Sequence, residues 1–370
     1  MRRVCLFARS WYHGLGDLVP VNLFLQLLHQ AYPQAEITYM VGEQTAARHA
    51  EFFARHSYAD RIVRCPNQWD DDPAHWAEFF AGVRSTGYDC AVIDPLSQPL
   101  VAKGMAECGV GVRLGFASGA PDEQYLTSTI SIRLARCPDF LDFAHALAGA
   151  LGVAVSGPEA MVPWFRFAPQ PVPVLPSPVV VVHPGGDRDW NRRWPLARFG
   201  ELGRRLTAEG ASLVLAGSAG EAADLAELAE LAGTAGGAVV RVCAGESLDT
   251  LASWLAAADV LVGNDSALGH IAAALHTPTV VLYGPSGDEF MWERLYLRHR
   301  GVHGHATCEP VRDEPPAGGR APCAHSCQYT YVSAAGPYPR CMTDIETAEV
   351  HAVVQEVLAG RAERSAGARR

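Results

Sequence analysis

Short apolar runs alternate with amphipathic stretches along most of the chain, and the alternation sets the expected fold. Residues 4–8 read as a buried strand. A loop over 10–17 then leads into a helix whose apolar face carries Val21, Phe24, Leu25, Leu28 and Ala31. Pro20 fits the first turn of that helix, where its missing N–H costs nothing, and Pro33 ends it. Residues 37–41 make the next strand, closed by Gly42, and 61–63 and 90–93 make shorter ones. Between these last two lies a polar, Trp-containing stretch with Asp70, Asp71 and Asp72. Strand–helix alternation predicts a parallel sheet covered by helices on both faces.

Residues 168–178 break the rhythm with five prolines alternating with other residues, the composition of a stiff extended linker. The pattern then restarts. Strands are expected at 179–182, 212–216, 239–242, 260–262 and 279–283, with helices at 196–209, 221–232, 248–257 and 267–275. Residues 308–341 show no periodicity and are rich in Pro and Gly; a last helix follows at 347–358, then a fraying tail. The expected organisation is α/β, with two doubly wound Rossmann-like domains facing a cleft: 1–167, the linker 168–178, and 179–360, with 361–370 as tail. A C-terminal helix follows the irregular Cys-containing segment.

The length of 370 residues suits two hydrophobic cores, and 49% hydrophobic with 19% charged residues marks a globular chain. No apolar run reaches the ~18 residues of a membrane-spanning helix. Met1-Arg2-Arg3 and the apolar residues after it imitate the start of a signal peptide, but the run is short and Arg9 interrupts it. A cytoplasmic protein is expected. The net charge of −10 argues against a nucleic-acid partner and against strong docking on anionic lipid, leaving only peripheral membrane contact open. Lys103 is the sole lysine, so a phosphate clamp would use arginine or backbone N–H groups. Nothing in the sequence bears on oligomeric state.

Three stretches carry candidate chemistry. Gly263-Asn264-Asp265-Ser266-Ala267-Leu268-Gly269-His270 joins a buried strand to a helix, with Asp265 and Ser266 at N-cap positions. The N–H groups that follow, with the helix dipole, suit an anion, and Asp265 could accept from sugar hydroxyls. His270 would lie one turn on, beside Ser266. An ordinary capped helix would also satisfy this pattern. The second stretch, His183-Pro184-Gly185-Gly186-Asp187-Arg188-Asp189-Trp190-Asn191-Arg192-Arg193-Trp194-Pro195, sets a Gly-rich turn and three arginines after a strand. That suits a diphosphate, with Trp190 and Trp194 as pocket walls; a surface loop pairing its arginines with Asp187 and Asp189 is the alternative. The third, Gly14-Leu15-Gly16-Asp17, places a carboxylate at a helix N-terminus, where it can act as a general base or simply as a cap.

Taken together, these stretches resemble family 9 glycosyltransferases, whose best-known members are the ADP-heptose:lipopolysaccharide heptosyltransferases. The likeness is sharpest from Asp265 to Thr279 and at Tyr283-Gly284-Pro285-Ser286. It extends to Gly14-Leu15-Gly16-Asp17, residues 31–37, Arg193-Trp194-Pro195 and Gly217-Ser218-Ala219-Gly220-Glu221. The resemblance implies the two-domain GT-B fold, an inverting transfer without metal or cofactor, a nucleotide-diphosphate sugar as donor, and a glycan or small molecule as acceptor. It implies Asp17 as catalytic base, Arg192 on the donor diphosphate and Glu221 on the ribose. Asp265 would hold the sugar, the N–H groups of Ser266, Ala267 and Leu268 the phosphate, and His270 matches the motif's histidine. Gly185, Gly186, Gly217 and Ser218 would line the donor loops, and Gly14 and Gly16 the acceptor-side loop. Members usually carry Gly where this chain has Ala267, and at a positive φ its Cβ would strain the site.

Other readings compete. Asp70-Asp71-Asp72 imitates a metal-binding Asp-x-Asp but lacks a strand leading into it, and charge runs usually stay solvated. Asn264-Asp265-Ser266 is formally a glycosylation sequon, without meaning in a cytoplasmic chain. Cys308, Cys323, Cys327 and Cys341 could hold a structural zinc, with His303, His305 or His325 as substitutes, but their outer spacings are long and irregular. Loop thiols are the expectation. An epimerase of the same fold, which needs no acceptor, is the main functional alternative; a transferase using another nucleotide sugar on a specialised metabolite is a second. A binding protein with a degenerate site is a third class. Residues 1–165 hold 12 Lys and Arg against 17 Asp and Glu, a formal −5, which favours a neutral or cationic acceptor over a polyanion.

Overall fold

The computed structural model describes residues 1–8, 14–67, 70, 72–94, 97–117, 119, 121–132, 140–186, 193–235, 237–284, 295–304, 330–333 and 336–367. It divides into two compact units, Met1–Arg166 and Phe167–Arg370.

The N-terminal unit is built on β1 (Arg3–Phe7), β2 (Glu36–Gly42), β3 (Arg61–Cys65), β4 (Cys90–Ile93), β5 (Val112–Phe116) and β6 (Ser128–Ile130). They pair in parallel in the order β3-β2-β1-β4-β5-β6. Its helices are α1 (Leu15–Ala31), α2 (Glu43–Arg48), α3 (Ala50–Arg55), α4 (Pro73–Thr86), α5 (Gln98–Glu107) and α6 (Phe140–Leu151). Parallel strands covered on both faces become apolar throughout, and Val4, Cys5, Leu6 and Phe7 of β1 are all buried. Phe79 and Val83 of α4 and Val101, Ala102 and Met105 of α5 pack with Phe7, Met40 and Ile93. Helix α1 is buried from Leu18 through Leu28 rather than along one stripe, because it lies between the sheet and α6. There Phe24 stacks on Phe140 at 4.7 Å.

Several expectations change here. Helix α1 begins at Leu15, so Pro20 falls inside it rather than in its first turn. The expected polar loop around Asp70 and Asp72 is the start of α4. The Asp72 carboxylate accepts the Ala74 N–H at 2.8 Å, and Asp70 accepts the Asp72 N–H at 3.0 Å while contacting His75 Nδ1 at 2.9 Å. These two carboxylates are spent on capping a helix. The sequence reading named no element at strands β5 and β6 or at helices α2 to α6; the two strands are short and partly polar.

The C-terminal unit repeats the plan. Strands β7 (Val179–His183), β8 (Ser212–Gly217), β9 (Val240–Ala244), β10 (Val260–Asn264), β11 (Thr279–Tyr283) and β12 (His299–His303) form a parallel sheet ordered β12-β11-β10-β7-β8-β9. Counted from β7, this is the strand order of the first unit. The helices are α7 (Leu196–Ala208), α8 (Ala222–Ala232), α9 (Leu248–Ala257), α10 (Ala267–Ala274), α11 (Arg340–Thr343) and α12 (Thr347–Gly367). The segment expected to be irregular ends in an antiparallel hairpin, β13 (Thr330–Ser333) with β14 (Gly336–Pro339), followed by α11.

Helix α12 packs on α7 and against β10, β11 and β12, placing Val350 and Val354 in the core. Trp194, expected to wall a ligand pocket, belongs to this core instead. It is 1% exposed, donates its indole N–H to Ile345 O at 3.0 Å and meets Phe199 edge-on at 4.8 Å. The proline-rich residues before β7 are fixed to the unit through α9: Ala168 N–H donates to Asp249 Oδ1 and Gln170 N–H to Ser253 Oγ, each at 2.8 Å. In each unit the chain winds away in opposite directions from two adjacent central strands, β1 and β4 or β7 and β10. The crevice at their C-terminal ends is where doubly wound sheets take ligands.

Candidate functional site

In the C-terminal unit three strand ends meet at this crevice: β7 running into Pro184-Gly185-Gly186, β8 into Ser218, and β10 into Asp265-Ser266 and α10. One side chain ties two of them together. Asn264 is fully buried; its Nδ2 donates to Pro184 O at 2.8 Å and Gly185 O at 3.0 Å, and its Oδ1 accepts the Trp194 N–H at 3.0 Å. A buried amide meets its hydrogen-bonding needs only if its surroundings hold one geometry, so Asn264 fixes the β7 loop to the start of α10. The sequence reading passed over it as a sequon member. The available signal was an amide ending an otherwise apolar buried strand.

The third strand end is joined through Glu221. Its Oε2 accepts the N–H and the hydroxyl of Ser218, both at 2.8 Å. Its Oε1 accepts Gly186 N–H at 3.3 Å and Arg193 Nη2 at 3.1 Å. Burial works against this charge, but His183 when it is protonated, the Ser218 donors and Arg193 outweigh it and hold the carboxyl below its ordinary range. Arg193 also donates to Gly186 O from Nε at 3.1 Å and from Nη2 at 2.7 Å, and pairs with Asp224 at 3.2 Å. Its fork pins the glycine loop against α8. Gly185 has no room for a side chain, since a Cβ would collide with Glu221 Oε1, and Gly186 sits at φ 145°, which favours glycine. His183 donates from Nδ1 to Ala216 O at 2.7 Å, and burial lowers its pKa, so the ring is neutral.

Ser266 stands at the N-cap of α10 in extended geometry, φ −161° and ψ 171°. Its hydroxyl makes no capping bond, contrary to expectation, and its buried Oγ has no hydrogen-bond partner among the described residues. Ala267 is the first helical residue. Among described non-glycine residues only His276 has a positive φ, so the Cβ of Ala267 brings no strain. Asp265 and Leu268 are buried, and the Asp265 N–H donates to Leu282 O at 3.3 Å. His270 is buried one turn along, with Nδ1 2.6 Å from the Tyr296 hydroxyl. The first-turn N–H groups of a helix have no intrahelical partner and carry the positive end of its dipole. Here that end meets the loops held by Asn264 and Glu221, an arrangement suited to a diphosphate.

In the N-terminal unit Asp17 lies in the first turn of α1, its N–H 3.3 Å from Gly14 O. Gly14 is the N-cap, and Gly16 lies within that first turn. Asp94, at the end of β4, is 8% exposed and binds the N–H and hydroxyl of Ser97 at 2.9 and 2.7 Å. Tyr39 donates its hydroxyl to Ala8 O at 2.9 Å; burial, with the charges of Asp94 and Asp17 nearby, raises its pKa. Asp17 and Asp94 both lie near enough to Tyr39 for their charge to act on its phenol, and Asp94 was not among the candidates read from the sequence.

Arg192, with Asp187, Arg188, Asp189, Trp190 and Asn191, lies outside the described residues, as do Cys308, Cys323, Cys327, His305 and His325. Cys341 is buried in the core of the C-terminal unit, and His303 stacks on Tyr283 at 5.4 Å. Among the described residues no three His, Cys, Asp or Glu side chains are grouped to hold a metal ion, and no helix is long and apolar enough to cross a membrane.

Comparison with known proteins fits this geometry. Residues 134–315 match the family model of glycosyltransferase family 9 (heptosyltransferase). Lipopolysaccharide heptosyltransferase 2 of Escherichia coli K12 is 40% identical over 114 residues, 30% of this chain; the match spans about a third of that relative's own length, 33%. Over the whole fold the chain is similar to the solved E. coli ADP-heptose lps heptosyltransferase II. The TM-score is 0.65 at 20% identity, covering 98% of this chain and 100% of the other. It is also similar to E. coli heptosyltransferase WaaC with ADP-2-deoxy-2-fluoro heptose. Here the TM-score is 0.62 at 19% identity, covering 96% and 99%. The two six-stranded parallel sheets are those of the GT-B fold.

Proposed function

We propose that the chain is a member of glycosyltransferase family 9, an inverting, metal-independent transferase that moves a heptose from ADP-heptose to an acceptor hydroxyl. The observation that carries the proposal is the meeting of Glu221, the Gly185-Gly186 loop and the N-terminus of α10 at one crevice, joined by Asn264 and Arg193. An acid held ionised suits ribose hydroxyls, and a helix N-terminus suits phosphate. The ADP-heptose analogue bound by the E. coli relative is of that chemistry.

In the reaction the acceptor oxygen attacks the anomeric carbon as the bond from that carbon to the diphosphate breaks. Asp17 takes the acceptor's proton, and ADP leaves with the bonding electrons. A single displacement inverts the centre. Charge growing on the leaving diphosphate is met by the N–H groups of Ser266, Ala267 and Leu268 and by Arg192, in place of a divalent ion. Asp265 accepts from the sugar hydroxyls. The formal −5 of residues 1–165 favours a neutral or cationic acceptor, and we place the reaction in the cytoplasm.

Calorimetric titration with ADP, UDP and GDP, repeated with EDTA, tests the donor. Tight ADP binding that ignores EDTA is expected. Preference for UDP or GDP would replace the donor sugar, and no binding to any of the three would overturn the reading.

A further inference from the structure

Tyr296 stands between the described residues of the donor crevice and β12, and no role has fallen to it so far. It is 6% exposed. Its hydroxyl lies 2.6 Å from His270 Nδ1, within the range of a good hydrogen bond, and the rings are 5.6 Å apart. Its other neighbours are aromatic as well: His299 lies 6.3 Å from it, ring to ring, and itself bonds Thr279 Oγ1 at 2.9 Å and the Tyr283 hydroxyl at 3.1 Å. Asp265 is near enough that, after burial, its charge is the second cause holding the Tyr296 phenol protonated far above neutral pH. The phenol therefore contacts His270 and lies within the field of Asp265, the residue just before the α10 N-cap.

We propose that Tyr296 is a positioning residue for the donor site: its hydroxyl donates to His270 Nδ1 and so fixes the imidazole as the Nε2–H tautomer. A neutral imidazole has one donor and one acceptor nitrogen, and the bond made at one nitrogen sets the other. With Nδ1 accepting from the phenol, Nε2 carries the proton, the form that donates to a phosphate or sugar oxygen. The phenol O–H has this acceptor at 2.6 Å, and as a buried neutral group it gains most by using it. Rotation of the imidazole would break the bond, so the same contact sets ring orientation. The proposal rests on the reading of this crevice as a sugar-nucleotide site.

The test uses the full chain with isotope-labelled histidine. The imidazole carbon and nitrogen shifts of His270, assigned by their loss in His270→Gln, report its tautomer. Wild-type protein is expected to show the Nε2–H form, and Tyr296→Phe, which keeps the ring and removes only the hydroxyl, a mixture of both tautomers. ADP-heptose affinity should fall about tenfold in Tyr296→Phe, the scale of one lost hydrogen bond, with the thermal midpoint close to wild type. An Nδ1–H form in the wild type would overturn the proposal, as would a Tyr296→Phe protein with unchanged His270 shifts. The tautomer comparison needs no ligand, so a wild type that ignores ADP-heptose would end the donor reading while the shifts still decide the role of Tyr296.

Discussion

In the N-terminal unit the crevice between β1 and β4 is bordered by carboxylates, Asp17 in the first turn of α1 and Asp94 bound to Ser97. In the C-terminal unit the crevice between β7 and β10 is bordered by two glycines, a helix N-terminus, and an ionised acid paired with an arginine. The strand order is the same in both. Topology supplies a crevice twice, and the residues at the strand ends decide its chemistry. Free N–H groups receive an anion, whereas a carboxylate takes up a proton. On the proposed function, one fold furnishes donor binding in one unit and base catalysis in the other.

The sharpest way to break this comparison is Asp17→Ala. Loss of a general base should lower kcat by about 10²–10⁴-fold while leaving ADP affinity within twofold, read by steady-state kinetics beside calorimetry. Parallel loss of both would make Asp17 structural and remove the division of labour. Asn264→Ala attacks the other side. It strips partners from Trp194 N–H, Pro184 O and Gly185 O, and about 2–4 kcal/mol of stability should go with them, together with most ADP affinity. Denaturant unfolding with and without ADP measures both, and an unchanged protein would deny Asn264 its role.

Acid should find the C-terminal unit first. Burial lowers the pKa of His299 to about 4, and His183 is shifted the same way. Both stay neutral in the folded chain while the unfolded chain takes up protons near pH 6.5. Stability contributed by His299 is therefore complete above about pH 6.5 and is lost as the pH falls toward 4, by on the order of 3 kcal/mol in total. Replacing His299 by Gln should flatten that slope in denaturant unfolding followed between pH 7 and 4. The smallest effect is expected from Ala267→Gly. With Ala267 helical at a negative φ, glycine should cost roughly 0.5–1 kcal/mol and bring no gain in ADP affinity. A gain beyond threefold would mean that the residue adopts another geometry when nucleotide binds.

The parts of the molecule that were legible in sequence are those where one residue's chemistry settles its place. Val179 to Val182 are apolar without a break and could only be a covered strand. Gly185-Gly186 and the Asp265-Ser266 junction stood out by residue type and spacing, and Glu221 only through the family resemblance. What escaped was relational. Trp194 looks like a pocket wall until α12 closes over it and Ile345 O takes its N–H. Arg193 is indistinguishable from its arginine neighbour in sequence, yet its salt bridges to Glu221 and Asp224 come from another helix. Asn264 and Tyr296 act through partners 26 to 80 residues away. The short strands β5 and β6 carry too few apolar residues to register a period.

The central claim is that nucleotide binds at the β7–β10 crevice of the C-terminal unit, and amide hydrogen exchange with and without ADP tests it most directly. The account predicts ADP-dependent protection at Gly185, Gly186, Ser218 and the first turn of α10, and none in residues 14–132. Protection centred on the β1–β4 crevice, or none anywhere at saturating ADP, would contradict it.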